Sequence, residues 1–170
     1  MATLPPDADQ VQLLVSPRKP LRLLFVCVGN SCRSQMAEGL AQAMGGDRVA
    51  AESAGTSPGD KVAPKAVEVL AELGIDISRH RPKLVTRDML DRADRSFTMG
   101  CDARDQCPAP WLGSSGDWEI EDPVGQGLDK YREVRDDIRR HLQELFAEEG
   151  IPDLLARRGG GRAARRRRGK

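Results

Sequence analysis

Long apolar runs, a leader-like start and aromatic side chains are what this 170-residue chain has least of. No apolar stretch approaches the roughly 20 residues needed to cross a bilayer, which argues against a membrane helix. Met1 to Pro20 has no apolar core and carries Asp7 and Asp9, unlike a secretory signal peptide. A soluble cytoplasmic protein is therefore expected. No internal repeat is visible. Three Phe, two Trp and one Tyr provide poorly for an aromatic slot around a ring-bearing ligand. Histidine is equally scarce: His80 lies in a basic turn and His141 beside an apolar helical stripe, so a structural or solvated role is expected for both.

Four cysteines are present, in two clusters: Cys27 with Cys32, and Cys101 with Cys107. In a cytosolic chain, paired cysteines point to metal binding or catalysis rather than to structural disulfides. Zinc would need all four thiolates in a tetrahedron, and the Cys-x4-Cys and Cys-x5-Cys spacings differ from the usual ribbon knuckles. No metal is expected. The polar, Gly- and Pro-bounded stretch from Met99 to Pro108 is suited to carrying a thiol in redox exchange, and two thiols six positions apart can bridge if the turn between them loops out. Two unconnected buried cysteines are the plainer alternative, since Cys is among the most buried residues.

The most informative stretch is Cys27-Val28-Gly29-Asn30-Ser31-Cys32-Arg33-Ser34, a Cys-x5-Arg loop. Leu21 to Val26 before it reads as a buried strand, and Ser34 to Met44 after it as a helix ended by Gly45-Gly46. Backbone amides of Val28, Gly29, Asn30, Ser31, Cys32, Arg33 and Ser34 can converge there on an anion that the helix dipole also favours. Arg33 adds a planar fork for two oxygens of a tetrahedral oxyanion. Cys27 sits in the same positive field, which favours its thiolate. Gly29 is expected to make the tight turn, and Ser34 to supply a hydroxyl beside the sulfur.

The remaining pattern implies one α/β domain over 20–150. Strands near Leu21–Val28, Arg48–Glu52, Arg95–Met99 and Trp118–Glu121 alternate with helices Ser34–Met44, Pro64–Leu73, Arg87–Arg92 and Lys130–Ala147. This predicts a four-stranded parallel sheet with helices on both faces. In the last helix Tyr131, Val134, Ile138, Leu142, Leu145 and Phe146 recur at helical spacing, a core stripe. Residues 1–19 read as a loose extension and 151–170 as a basic tail. Arg157 to Lys170 hold eight of the 27 Lys and Arg and no acid, leaving 19 bases against 26 acids elsewhere. Such a tail is able to bind nucleic acid, but Arg-Gly composition without aromatics reads more simply as a disordered, solubilising extension.

From Leu21 to about Ala147 the chain resembles the thioredoxin-coupled arsenate reductases, which share the low-molecular-weight protein tyrosine phosphatase fold. Five stretches carry the resemblance: Val26 to Glu38 around the loop; Ser53-Ala54-Gly55; Gly74 to Ser78; Thr98-Met99-Gly100-Cys101 with Cys107-Pro108; and Asp117 to Gly125 around Asp122-Pro123. The resemblance implies that Cys27 attacks arsenate, with phosphate or sulfate as competing oxyanions. Asp122 matches the general acid, which alone would read as an ordinary Asx-Pro turn. Cys101 would then attack Cys27 to release arsenite, and Cys107 would attack Cys101. Thioredoxin would reduce the resulting Cys101–Cys107 bond, with no tightly bound cofactor. Cys32 has no assigned step and is expected to pack the loop. A monomer is expected.

Some such reductases hold potassium with residues matching Asn30, Glu38 and Ser53 and with ligands after Ser78. Here Arg79-His80-Arg81-Pro82-Lys83 puts cations there, so potassium dependence is not expected. The alternative function is a low-molecular-weight tyrosine phosphatase or phosphomonoesterase using Cys27, Arg33 and Asp122. It has no need of Cys101 and Cys107, and Val124-Gly125-Gln126-Gly127 follow Pro123 where an aromatic sandwich would be wanted.

Overall fold

The computed structural model describes residues 18–100 and 116–158. Four strands, β1 (Leu21–Cys27), β2 (Val49–Gly55), β3 (Arg95–Thr98) and β4 (Gly116–Asp117), form one sheet in the order β2-β1-β3-β4. Every pairing is parallel. The helices are α1 (Arg33–Gly45), α2 (Pro64–Ala71), α3 (Arg87–Arg92) and α4 (Leu128–Glu149).

Alternation along β1 sorts its side chains between two cores. Leu23, Phe25 and Cys27 enter the larger one, with Met36, Leu40 and Met44 of α1, Val69 and Leu70 of α2 and the whole stripe of α4. Leu24 and Val26 point the other way, onto Ala54 and Met89 of α3. Helices therefore cover both faces, as the βα alternation implied. The aromatics among the described residues are pooled in the larger core: Phe97 and Trp118 lie 4.6 Å apart, and Phe25 lies 5.5 Å from Trp118. His141 stacks on Trp118 at 5.0 Å and donates from Nδ1 to the Asp137 carbonyl, a packing role.

Three element boundaries differ from expectation. β2 runs on through Ser53-Ala54-Gly55, because Val26 and Cys27 of β1 pair with Ala54 and Gly55. A fourth strand over Trp118–Glu121 does not form. The ladder is limited to Gly116–Asp117, and after the Trp118 amide bonds the Thr98 carbonyl, Glu119 turns the chain away at φ +50°. Packing also continues beyond residue 150. Gly150 closes α4 in a left-handed cap, after which Ile151 is buried and Leu155 lies against the larger core. Residues 1–17 and 159–170, which hold most of the expected extension and tail, lie outside the described residues. No described helix is long and apolar enough to cross a membrane.

Candidate active site

Cys27 is the last residue of β1, and α1 opens at Arg33, so the five residues between them turn tightly over the carboxyl edge of the sheet. Four carbonyls between Cys27 and Ser31 face outward. The amides of Thr56, Ser57, Gly59 and Ala63 donate to the carbonyls of Cys27, Val28, Gly29 and Ser31, at 3.2, 2.9, 2.9 and 2.7 Å. In a planar trans peptide the next N–H points opposite to the carbonyl. The amides of Val28, Gly29, Asn30 and Cys32 are thus turned into the loop, and the Asn30 amide meets Cys27 Sγ at 3.2 Å. Cys32 caps α1 without a side-chain hydrogen bond, which leaves the Arg33 and Ser34 amides without an intrahelical partner. The result is an anion cradle built of backbone, open at a helix N-terminus.

The residue that makes the turn is Asn30 at φ +47°, in place of the expected Gly29, whose φ is not positive. Its buried carboxamide explains why an L-residue is held there. Nδ2 donates to Ser34 Oγ at 2.8 Å and Ser53 Oγ at 3.0 Å, and Oδ1 accepts from the Lys83 amide and Gln35 Nε2. Ser34 Oγ lies 2.8 Å from Cys27 Sγ. Gly55 is the glycine the loop requires, since a Cβ there would stand 2.5 Å from the Val28 carbonyl.

The same network extends to Glu38, which like Asn30 and Ser53 matches a potassium ligand of some such reductases. Ser53 Oγ donates to Glu38 Oε2, and Glu38 Oε1 faces His80 Nδ1 at 4.0 Å, which is itself 2.9 Å from Gln35 Oε1. His80 is therefore part of the loop's support rather than a solvated turn residue. Asn30, Ser53 and Glu38 are joined in one hydrogen-bonded chain, Asn30 to Ser53 and Ser53 to Glu38. Gln35 and residues 56–63 carry no functional signal in the sequence, although Gln35 lies within the Val26–Glu38 stretch around the loop.

Arg33 is 6% exposed, and its guanidinium is tied to backbone. Nη1 donates to the carbonyls of Met99, Gly100 and Ile120 at 3.0, 2.8 and 3.0 Å, and Nη2 lies 3.4 Å from Asp122 Oδ2. Loop, Asp122 and the residue preceding Cys101 are thereby brought to one place. Asp122 Oδ1 also accepts the Val124 amide at 3.1 Å, so the Asx-turn reading holds beside the ion pair. Val124 is 62% exposed, and the four residues after Pro123 include no aromatic. Cys32 is buried against Tyr131, and burial first, then the charges of Asp122 and Cys27, push its thiol up to about 12. Cys101 and Cys107 lie outside the described residues.

Residues 22–152 match the model of the low molecular weight phosphotyrosine protein phosphatase family. The chain belongs to that family. Within it, the chain is 40% identical over 124 residues to arsenate reductase 1 of Staphylococcus haemolyticus, covering 72% of this chain and 92% of that relative. A solved arsenate reductase in its phosphate-binding state superposes with a TM-score of 0.67 at 35% identity, covering 75% of this chain and 98% of the other. A thioredoxin-dependent arsenate reductase of Corynebacterium glutamicum gives 0.63 at 35% identity, over 78% of this chain and 63% of that one. An arginine phosphatase of Geobacillus stearothermophilus gives 0.66 at 29% identity, over 77% and 94%. Reductases and a hydrolase thus share this scaffold.

Proposed function

We infer that this chain is an arsenate reductase regenerated by thioredoxin. The observation that carries the reading is the position of Arg33. It follows a backbone cradle for a tetrahedral oxyanion, bonds Asp122, and holds the carbonyl of Gly100, the residue before Cys101.

In this mechanism the loop amides bind arsenate, with the charge of Arg33 beside them, and the Cys27 thiolate attacks arsenic. An oxygen leaves as water, protonated by Asp122, because unprotonated hydroxide is a poor leaving group. The Cys101 thiolate then attacks Cys27 Sγ. The sulfur–arsenic bond breaks with its electron pair on arsenic, which departs as arsenite, and a Cys27–Cys101 disulfide forms. Cys107 attacks Cys101 and frees the Cys27 thiolate. Thioredoxin supplies two electrons to the Cys101–Cys107 bond by thiol–disulfide exchange. Three thiols in series carry the oxidised bond away from a recessed anion site to a protein reductant. The enzyme works as a cytoplasmic monomer, with a catalytic body that takes in Ile151 and Leu155 and with terminal extensions outside the chemistry. Phosphate and sulfate compete for the cradle.

Hydrolysis of phosphate esters is the second reading, favoured by the 29% identical arginine phosphatase and by the shared need for Cys27, Arg33 and Asp122. Weak side phosphatase activity accompanies the reductase. The deciding experiment follows NADPH consumption with thioredoxin, thioredoxin reductase and arsenate, comparing wild type with Cys101→Ser and Cys107→Ser. Sustained oxidation in wild type alone, with one turnover and a trapped Cys27–Cys101 bond in Cys107→Ser, is expected. Brisk aryl phosphate hydrolysis by all three proteins without NADPH oxidation would make the chain a phosphatase.

A further inference from the structure

An ester held in the cradle would have to turn its bridging oxygen to Asp122, the acid that protonates the leaving group. Whatever the ester carries beyond that oxygen then lies along the acid loop, Asp122 to Gln126, whose far end meets the first turns of α2 and α4. The chain's one tyrosine stands there. Tyr131, in the first turn of α4, is hydrogen-bonded to Cys32 of the cradle. Burial first, then the charges of Cys32 and Asp122, push its hydroxyl above the ordinary value of 10. A tyrosine ring beside an anion site is a platform on which an aryl group could stack. Here Lys65 of α2 already occupies it. Lys65 Nζ lies over the ring, 5.9 Å from its centroid, and donates to the Gln126 carbonyl at 2.7 Å. Lys65 is itself exposed, whereas the tyrosine beneath it is only 4% exposed. The ammonium thus bridges α2 to the acid loop across the ring.

We propose that Lys65 is a specificity-determining residue that keeps aryl esters off Tyr131 and leaves the cradle to small inorganic oxyanions. The proposal rests on the arsenate reading of the site and names the class of substrate it admits. To seat a ring on Tyr131, the ligand must lift the ammonium from the ring face and from the Gln126 carbonyl, a contact and a charge-assisted hydrogen bond lost together. An inorganic oxyanion has nothing beyond its oxygens and displaces neither. Arginine keeps a cation over the ring, whereas alanine uncovers it.

The test reads binding without turnover. Benzylphosphonate places a methylene where phenyl phosphate has its ester oxygen, and methylphosphonate is the same anionic head without the ring. Each is titrated as a protectant of Cys27 against iodoacetamide in the full chain, as wild type, Lys65→Ala and Lys65→Arg. Benzylphosphonate is expected to bind roughly fivefold more tightly in Lys65→Ala than in wild type. Methylphosphonate is expected to stay within about twofold, and Lys65→Arg to keep the wild-type ratio of the two ligands. No gain for benzylphosphonate in Lys65→Ala would overturn the proposal. So would a parallel loss of both ligands, which would make Lys65 a support of the cradle itself. NADPH oxidation with arsenate tests the reductase reading separately. A gain for benzylphosphonate in Lys65→Ala beside a wild type that reduces no arsenate leaves the cover standing and removes the reductase. Sustained arsenate reduction without that gain removes the cover alone.

Discussion

Ser34 Oγ stands 2.8 Å from Cys27 Sγ and also accepts a hydrogen bond from Asn30 Nδ2. A thiolate can only accept, so facing the attacking Cys27 thiolate the Ser34 hydroxyl donates, a hydrogen bond to a charged group that supports the nucleophile. Hydrogen bonds to charged groups contribute about 1.5–3 kcal/mol, and 1.4 kcal/mol corresponds to tenfold. Ser34→Ala is expected to slow iodoacetamide alkylation of Cys27 at pH 7 by roughly tenfold. Arsenate turnover should fall in parallel, because both reactions use the same nucleophile. Equal alkylation rates in variant and wild type would remove Ser34 from nucleophile activation.

The outer brace of the loop makes a second, steric prediction. Gly55 faces the Val28 carbonyl so closely that a Cβ would stand at 2.5 Å, with Asn30 Cβ at 2.9 Å. Both neighbours are parts of the cradle. Gly55→Ala must displace the loop, at a cost of about 1–3 kcal/mol for overpacking, and phosphate protection of Cys27 should weaken by roughly an order of magnitude. Gly127→Ala is the control, since its φ is −77° and no atom lies within 4 Å of the added Cβ. Denaturant unfolding alongside phosphate protection checks both variants. Undisturbed anion binding in Gly55→Ala would show that the cradle tolerates the shift.

These two cases mark what could be read from the chain and what could not. The Cys-x5-Arg stretch, its strand and its helix were readable because their signals are local: an apolar run, a run of good helix formers, a Gly-Gly stop. The α4 stripe was readable for the same reason, since side chains every three or four residues report a single face. The brace from Thr56 to Ala63 was not, because it acts through backbone amides, which any sequence supplies. The left-handed turn at Asn30 was misassigned to Gly29 because its support comes from Ser53 and the Lys83 amide, distant in the chain. Arg33 was expected to present its fork to an anion, and its three carbonyl partners, Met99, Gly100 and Ile120, likewise come from distant segments. β4 was misplaced because Trp118 and Ile120 look like strand residues, whereas Glu119 at φ +50° breaks the ladder between them.

Cys32 and Cys27 sit five residues apart in one loop and should differ sharply in reactivity. Burial, with the nearby charges of Asp122 and Cys27, pushes the Cys32 thiol up to about 12, so it stays protonated throughout the physiological range. The thiolate is the reactive form. Brief iodoacetamide treatment at pH 7.5 followed by peptide mapping is expected to find the label on Cys27 and none on Cys32. Unfolding the protein first should equalise the two. Prompt labelling of Cys32 in the folded protein would contradict the buried, neutral thiol.

The junction of α2 and α4 gives the fold a defined acid limb. Glu72 Oε1 lies 2.7 Å from Arg132 Nη2, and Glu72 Oε2 lies 2.7 Å from Nη1 of the mostly buried Arg135, whose Nη1 also donates to the Val69 carbonyl. The hydrogen bonds from Arg132 and then Arg135 hold the Glu72 carboxyl below its ordinary value of 4.5. A carboxyl whose folded pKa is depressed stabilises the fold fully above its unfolded pKa, and that contribution is lost as pH falls through the folded value. Glu72→Gln should therefore be less stable than wild type at neutral pH, and the gap should close as pH drops below about 4.5. Urea unfolding at pH 7, 5 and 3 measures the gap directly. A difference that stayed constant to pH 3 would assign the role of Glu72 to packing between the helices, since the glutamine differs from the protonated acid mainly in its amide.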